Sequence, residues 1–151
     1  MIRRICNHCG RIYIDTCECQ KKKRKSSYKH NSFYDGIAWK TLSKQVKQRD
    51  LYTDRLALFL QKKPIERFLY KGHIKTLIDY LITPTGQIRR FTDLIEVHHI
   101  EPIEENKELR YNEENLISLY KSVHEYIHKI YNTNEKETLQ NLLREAVRYK
   151  V

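Results

Sequence analysis

The sequence lacks a long apolar segment. Its longest unbroken run of apolar side chains spans residues 56–60, whereas a membrane-spanning helix needs about 20 apolar residues. The N-terminal Met1-Ile2-Arg3-Arg4 leads into cysteines rather than into the apolar stretch of a secretory signal. We therefore expect neither a membrane protein nor a secreted one, but a soluble cytoplasmic protein. With 151 residues, the chain has room for one domain and a small appendage.

Acidic residues are in the minority. There are 19 Asp and Glu against 29 Lys and Arg, which gives a net charge of +10. Residues 1–50 hold 13 basic and 4 acidic side chains, residues 51–90 hold 8 and 3, and residues 91–151 hold 8 and 12. The basic excess favours nucleic acid or an anionic membrane as the partner, and we expect nucleic acid. A compositional bias toward Lys would give the same excess without a function.

Cysteine is absent after position 19. Four cysteines with the spacing Cys-x2-Cys-x7-Cys-x-Cys suit a tetrahedral thiolate site for structural Zn²⁺. Two disulfides or unligated cysteines are the alternatives, but a reducing cytosol disfavours disulfides. We expect a zinc knuckle over residues 1–20, with His8 as a bystander and with these ligands: Cys6, Cys9, Cys17 and Cys19.

Two clusters of basic residues are candidate contacts for phosphates. The first lies in residues 21–34, which show no apolar periodicity and are expected to form a solvated linker. The second lies just before a predicted strand, where it would clamp a phosphate or form a solvated turn. The candidates are Lys21, Lys22, Lys23, Arg24 and Lys25 in the linker, and Arg89 and Arg90 before the strand.

Residues 35–151 have the pattern of an α+β domain that is mainly helical. Apolar residues at helical spacing predict a helix over about 37–50, and residues 54–83 predict one or two more. The apolar side of the helix predicted over about 37–50 would carry Ile37, Trp39 or Lys40, Leu42, Val46 and Leu51.

The second half of this domain shows a strand, a loop, a strand and a helix in order. Alternation over 93–100 and 115–119 predicts the two strands, and residues 120–131 carry a helical stripe. A final amphipathic helix is expected over about 134–149, with Thr133 or Asn134 as its cap.

Two pairs of histidines are candidates for a catalytic metal site. His124 and His128 are spaced i, i+4, so they project from one helical face as a metal clamp would. A strand presents His98 and His99 to opposite sides, so one can bind an ion while the other faces the substrate. The ion would polarise a phosphate, and the remaining imidazole would deprotonate a water molecule. A single histidine is more often structural or exposed.

The motifs that carry these histidines resemble the His-Asn-His (HNH) endonuclease family with its ββα-metal fold. They are Glu96-Val97-His98-His99-Ile100-Glu101-Pro102, then Asn112-Glu-Glu-Asn115-Leu-Ile-Ser-Leu, then Val123-His124-Glu-Tyr-Ile-His128. The resemblance covers about 91–131, and the segment around Trp39 is similar to the helix that precedes the motif in small phage HNH proteins. It implies that His99 is the general base and that Asn115 braces the loop and orients that base. It also implies that His98 and His124 are metal ligands, and that His128 is the extra ligand of the colicin-nuclease branch.

The sequence departs from most relatives at two places. His98 stands where Asp is usual, so the site would favour Zn²⁺, Ni²⁺ or Mn²⁺ over Mg²⁺. Many HNH units are held together by two cysteine pairs that bind a structural zinc ion. Those pairs are missing here, and Tyr120 and Val123 occupy the places of one pair. We expect an apolar cluster that draws on residues 54–83 to stabilise the unit instead. Glu96 and Asp93 are candidate partners for a ligand imidazole.

The resemblance implies a metal-dependent endonuclease that cuts duplex DNA, with a phage packaging terminase as a further partner. Three alternatives remain open. The chain could be a non-catalytic zinc-ribbon protein that binds DNA, a degenerate HNH protein that binds without cutting, or a nuclease that processes RNA.

Overall fold

The computed structural model describes residues 4–5, 12–13, 32–63, 66, 69–83 and 94–150. The chain divides into two compact units, Met1–Ser32 and Phe33–Val151. In the first unit, β1 (Arg4–Ile5) and β2 (Ile12–Tyr13) pair antiparallel. The expected zinc ligands and the candidate phosphate contacts of both basic clusters lie outside the described ranges. They are Cys6, Cys9, Cys17, Cys19, Lys21, Lys22, Lys23, Arg24, Lys25, Arg89 and Arg90.

The second unit has the mainly helical α+β composition that the sequence predicts. Apart from a short first helix that begins in the expected linker and was not predicted, its described elements follow the predicted order, with ends that differ by a few residues. They are α1 (Ser32–Asp35), α2 (Ile37–Arg49), α3 (Arg55–Lys62), α4 (Gly72–Ile82), β3 (Ile95–His99), 3₁₀ turns at Lys107–Tyr111 and Glu113–Asn115, β4 (Leu116–Tyr120), α5 (Lys121–Ile130) and α6 (Lys136–Arg148).

Strands β3 and β4 form an antiparallel pair that is covered on both faces. The register runs from Ile95 opposite Tyr120 to His99 opposite Leu116. Because side chains alternate along a strand, Leu116 joins the α2 cluster while Ile117 and Leu119 join the main core. Helices α1 and α2 therefore pack on one face of the pair, and helices α3 to α6 supply the core on the opposite face.

The main core draws on residues 54–83, as the sequence predicts. Side chains from α3 and α4 pack with those of β4, α5 and α6 in one buried cluster, so apolar burial holds the ββα unit in place. This cluster contains Leu56, Ala57, Phe59, Leu60, Ile74, Leu77, Ile78, Leu81, Ile100, Ile117, Leu119, Val123, Ile127, Ile130, Leu139, Leu142, Leu143 and Ala146.

Helix α2 buries a narrower stripe than the sequence predicts. Trp39, Leu42 and Val46 are buried, but Ile37 is 84% exposed and Leu51 is 59% exposed. Ile37 is the first residue of the helix and lies in its first turn. Leu51 follows Asp50, the C-cap of the helix, and has φ 58°, so its side chain has left the helical stripe. The prediction of core positions was wrong at these two ends.

Two buried carboxylates accept hydrogen bonds from backbone amides of β4, on the edge of the strand that does not face β3. Asp50 accepts a hydrogen bond from the Ser118 amide (2.9 Å), and Asp54 accepts one from the Tyr120 amide (2.9 Å). Asp54 also caps α3 by accepting from the Ala57 amide (2.8 Å). These bonds pair amides that an edge strand would otherwise leave open.

The predicted cap of α6 was wrong. The N-cap residue is Glu135, not Thr133 or Asn134, and its side chain does not cap α6. Instead, the Glu135 carboxylate accepts from the amides of His73 (3.1 Å) and Ile74 (2.9 Å) in the first turn of α4. Gly72 has φ +57°, and a Cβ there would collide with that carboxylate. The side chain at the start of α6 therefore caps α4 through a long-range contact and does not cap its own helix.

None of the helices in the described part of the chain combines the length and the apolar character that crossing a bilayer requires.

Candidate active site

Three histidines converge where β3 meets α5. His98 lies on β3, and His124 and His128 lie one turn apart on α5. Their candidate ligand nitrogens all lie within 4.8 Å of one another. The structure thus brings together the three imidazoles that the sequence analysis assigned to one metal ion.

The ring of His98 is buried and held by Tyr131. The Tyr131 hydroxyl donates to the carbonyl of Ile100 (2.6 Å), and its oxygen lies 3.1 Å from Nε2 of His98. Since the only hydroxyl proton is used, Nε2 of His98 must be the donor to that oxygen. This leaves the Nδ1 lone pair of His98 free to bind an ion.

His124 has the complementary arrangement. Its Nδ1 donates to the carboxylate of Glu96 (2.7 Å), which leaves a lone pair on Nε2. In the metal-free site that lone pair accepts a hydrogen bond from Nε2 of His128 (2.9 Å). Metal-binding histidines commonly donate their second N–H to a carboxylate or a similar partner. Glu96 has this role among the candidates from the sequence, whereas Asp93 lies outside the described residues.

The donor set fits a transition-metal ion. Three imidazoles suit Zn²⁺ or Ni²⁺ better than Mg²⁺, which prefers oxygen ligands. Burial, followed by the neighbouring imidazoles, holds the pKa of His98 well below its ordinary value. Burial and His124 also lower the pKa of His128, although Glu96 and Glu104 oppose them. Both rings therefore favour the neutral form that coordinates metals.

His99 projects from the opposite face of β3. Its ring stacks on Trp39, with centroids 5.0 Å apart and an interplanar angle of 19°. Nε2 of His99 donates to the carbonyl of Arg110 (3.0 Å). A carbonyl only accepts, so in the neutral ring Nδ1 carries the free lone pair. Within the described residues, nothing hydrogen-bonds to that nitrogen, and it is the atom that would accept a proton from water.

The surroundings of His99 adjust its basicity in both directions. Burial lowers its pKa, while the hydrogen bond to Arg110 and the charge of Glu104 act to raise it. The net shift is downward, so His99 is a neutral proton acceptor at neutral pH.

Asn115 fixes the chain just after the histidine pair. Its Oδ1 accepts from the Glu101 amide (2.8 Å), and its Nδ2 donates to the Glu101 carbonyl (3.0 Å). The Asn115 carbonyl also accepts from the Ile100 amide (2.8 Å). These bonds position the backbone next to His99 and do not place Asn115 among the metal-binding nitrogens.

The histidines line a cleft of about 430 Å³ that runs along the free edge of β3. Side chains from both faces of the strand reach this edge, so the metal ligands and His99 share one opening. The lining residues are Tyr34, Trp39, Ser43, Lys47, Ile95, Glu96, Val97, His98, His99, Pro102, Ile103, Glu104, His124 and His128.

Several residues of the candidate site were not predicted from the sequence. Tyr131 is spaced i, i+7 from His124 and i, i+3 from His128, a spacing that would have placed it on the histidine face of α5. Trp39, Ser43 and Lys47 are spaced i, i+4, i+8 on α2, which would have identified one shared wall. The Arg110 carbonyl leaves no signal in the sequence, because any residue supplies a backbone oxygen.

Comparisons with known proteins add no assignment: no family model, no curated protein and no solved structure matches the chain.

Proposed function

We propose that the cleft is the active site of a metal-dependent endonuclease of the HNH type that hydrolyses DNA phosphodiester bonds. The observation that carries this proposal is the division of labour between adjacent residues of β3. His98 joins two imidazoles of α5, while His99 lines the same cleft with Nδ1 free. A metal-dependent phosphodiester hydrolase uses both parts, a site for a cation and a separate proton acceptor.

The residues of the cleft have distinct roles in the proposed reaction. Nδ1 of His99 takes a proton from the attacking water, while the Arg110 carbonyl keeps the ring oriented through Nε2. The charge of Glu104 then favours the imidazolium that forms. Asn115 holds the backbone at Glu101 and thereby keeps the loop after His99 in place. A divalent ion held by His98, His124 and His128 would supply Lewis-acid stabilisation of the phosphate and the leaving oxygen.

The substrate class is supported by charge. The chain carries a net charge of +10, and phosphate backbones bind basic proteins through counterion release. DNA is the substrate implied by the resemblance to HNH enzymes, and structured RNA has the same charge. The proposal includes structural Zn²⁺ at the cysteines and contact of the basic linker with nucleic acid.

A plasmid assay tests the proposal. Supercoiled DNA would be incubated with the full chain and Zn²⁺, Ni²⁺, Mn²⁺, Mg²⁺ or EDTA, with structured RNA in parallel. We expect metal-dependent nicked circles that EDTA suppresses. Intact plasmid with every metal would refute the DNA nuclease proposal, and cleavage of RNA alone would favour an RNA-processing nuclease. DNA binding without cleavage would favour an accessory DNA-binding protein.

A further inference from the structure

Helix α2 forms a wall of the cleft that the proposed chemistry does not use. Trp39, Ser43 and Lys47 all line the cleft, and their i, i+4, i+8 spacing places them in one row along the helix. The row begins at His99, on which Trp39 stacks. Four residues of helix rise about 6 Å, so Lys47 lies about 12 Å farther along the axis.

The length of this wall matches the floor of the cleft. Residues 95–99 of β3 all line the cleft and extend about 13 Å at the rise of a β-strand. The wall and the floor therefore form a trough with His99 at one end. A trough of this shape accommodates an extended chain, such as one strand of a nucleic-acid backbone.

The described lining of this trough has one basic side chain, Lys47, and two carboxylates, Glu96 and Glu104. Lys47 is the only Lys or Arg among the described lining residues, and it is only partly exposed. Three of the described lysines make ion pairs: Lys63, Lys75 and Lys136. In the described part of the chain, no acidic group pairs with Lys47. Its ammonium is available to an anion in the cleft, and the neighbouring Ser43 hydroxyl is a hydrogen-bond donor.

We infer that Lys47 binds a phosphate that flanks the scissile one, so that α2 guides the nucleic-acid strand toward His99. This inference rests on the proposed nuclease function and adds the path of the substrate. Lys47 is too far along the wall to act at the bond that is cleaved next to His99. Its contact is therefore made equally in the bound substrate and in the transition state, and it lowers KM without changing kcat.

The test compares three variants of the full chain. Lys47→Met removes the charge and keeps a chain of similar length, and Lys47→Arg keeps the charge. Lys62→Met removes one charge from α3, outside the cleft, and controls for the change in net charge. Each protein would be assayed for DNA affinity over a range of salt concentrations in EDTA, and for KM and kcat with metal.

We expect Lys47→Met to bind DNA about 10- to 100-fold more weakly, the loss typical of a hydrogen bond to a charged group. The slope of log affinity against log salt should become shallower by about 0.9, which corresponds to one phosphate contact. KM should rise by a similar factor with kcat unchanged. Lys47→Arg should restore most of the affinity, and Lys62→Met should match the wild-type protein.

The outcomes separate this inference from the proposed function. If the wild-type chain cuts DNA but Lys47→Met matches Lys62→Met in slope and KM, the inference is overturned and the nuclease proposal stands. If the wild-type chain binds DNA without cutting and only Lys47→Met flattens the slope, the phosphate contact stands and the nuclease proposal falls. A loss of kcat with unchanged KM would also overturn the inference.

Discussion

Replacing Tyr131 by Phe tests how the metal ligands are oriented. The substitution keeps the ring in the core and removes one hydroxyl, which donates to the Ile100 carbonyl and accepts from Nε2 of His98. The carbonyl keeps a second donor, Nε2 of Gln140 (2.8 Å). His98 is only 2% exposed, so its Nε2–H loses its partner in a buried position.

The free-energy cost of leaving the Nε2–H of His98 without a partner differs between the metal-bound and metal-free proteins. A buried donor without a partner costs about 1–3 kcal/mol. Without metal, His98 can move its proton to Nδ1 and relieve part of this cost. With metal on Nδ1, the proton must stay on Nε2 and the full penalty remains. We therefore expect metal affinity to fall about 10- to 100-fold, as is typical when a partner of a ligand histidine is removed.

Competition titration against a chelator measures this affinity, and thermal unfolding in EDTA measures the separate effect on stability. Gln140→Met is the matched control, because it removes the other donor to the Ile100 carbonyl and keeps the Tyr131 hydroxyl that accepts from His98. It should lower stability while metal affinity stays near the wild-type value. Equal affinity in Tyr131→Phe and the wild-type chain, or an equal loss in Gln140→Met, would refute the reasoning.

Three further predictions concern the general base, the pH dependence of stability and the cysteines. His99→Ala should slow DNA cleavage about 10²- to 10⁴-fold, the usual contribution of a general base, and single-turnover rates at matched metal occupancy would show it. In metal-free protein, burial holds the pKa of His98 and of His128 below the ordinary histidine value of 6.5, so the unfolded chain binds more protons below that pH. The free energy of unfolding should therefore fall as the pH drops below 6.5, and urea denaturation in EDTA that shows a flat or rising stability would contradict this. Cys6→Ser with Cys9→Ser should remove one zinc per chain and weaken DNA binding while the histidine site still binds metal, as elemental analysis and titration would show.

The order of elements in the second unit follows from short-range patterns. The stripe of Val123, Ile127 and Ile130 predicts α5 because burial on one face requires that spacing. The i, i+4 spacing of His124 and His128 is fixed by the same helix. These features depend on neighbours within two turns, so the sequence displays them directly.

Long-range contacts account for what the sequence does not display. Glu135 caps α4 rather than its own helix, because the fold brings the α4 amides to it. The tautomer of His99 depends on a carbonyl 11 residues away, and Trp39 reaches the same ring from α2. Each contact depends on how elements pack together, and no local spacing encodes that.

Metal titration of His99→Ala and His128→Ala by calorimetry tests the central claim most directly, namely that three imidazoles hold the ion while His99 stays free of it. At neutral pH, His99→Ala should bind one ion at the histidine site with wild-type affinity. In His128→Ala the metal affinity should fall further, because this variant removes a ligand. The loss should exceed the roughly 10- to 100-fold that is typical when a hydrogen-bond partner of a ligand is removed. Unchanged affinity and stoichiometry in His128→Ala, or loss of the ion in His99→Ala, would contradict the account.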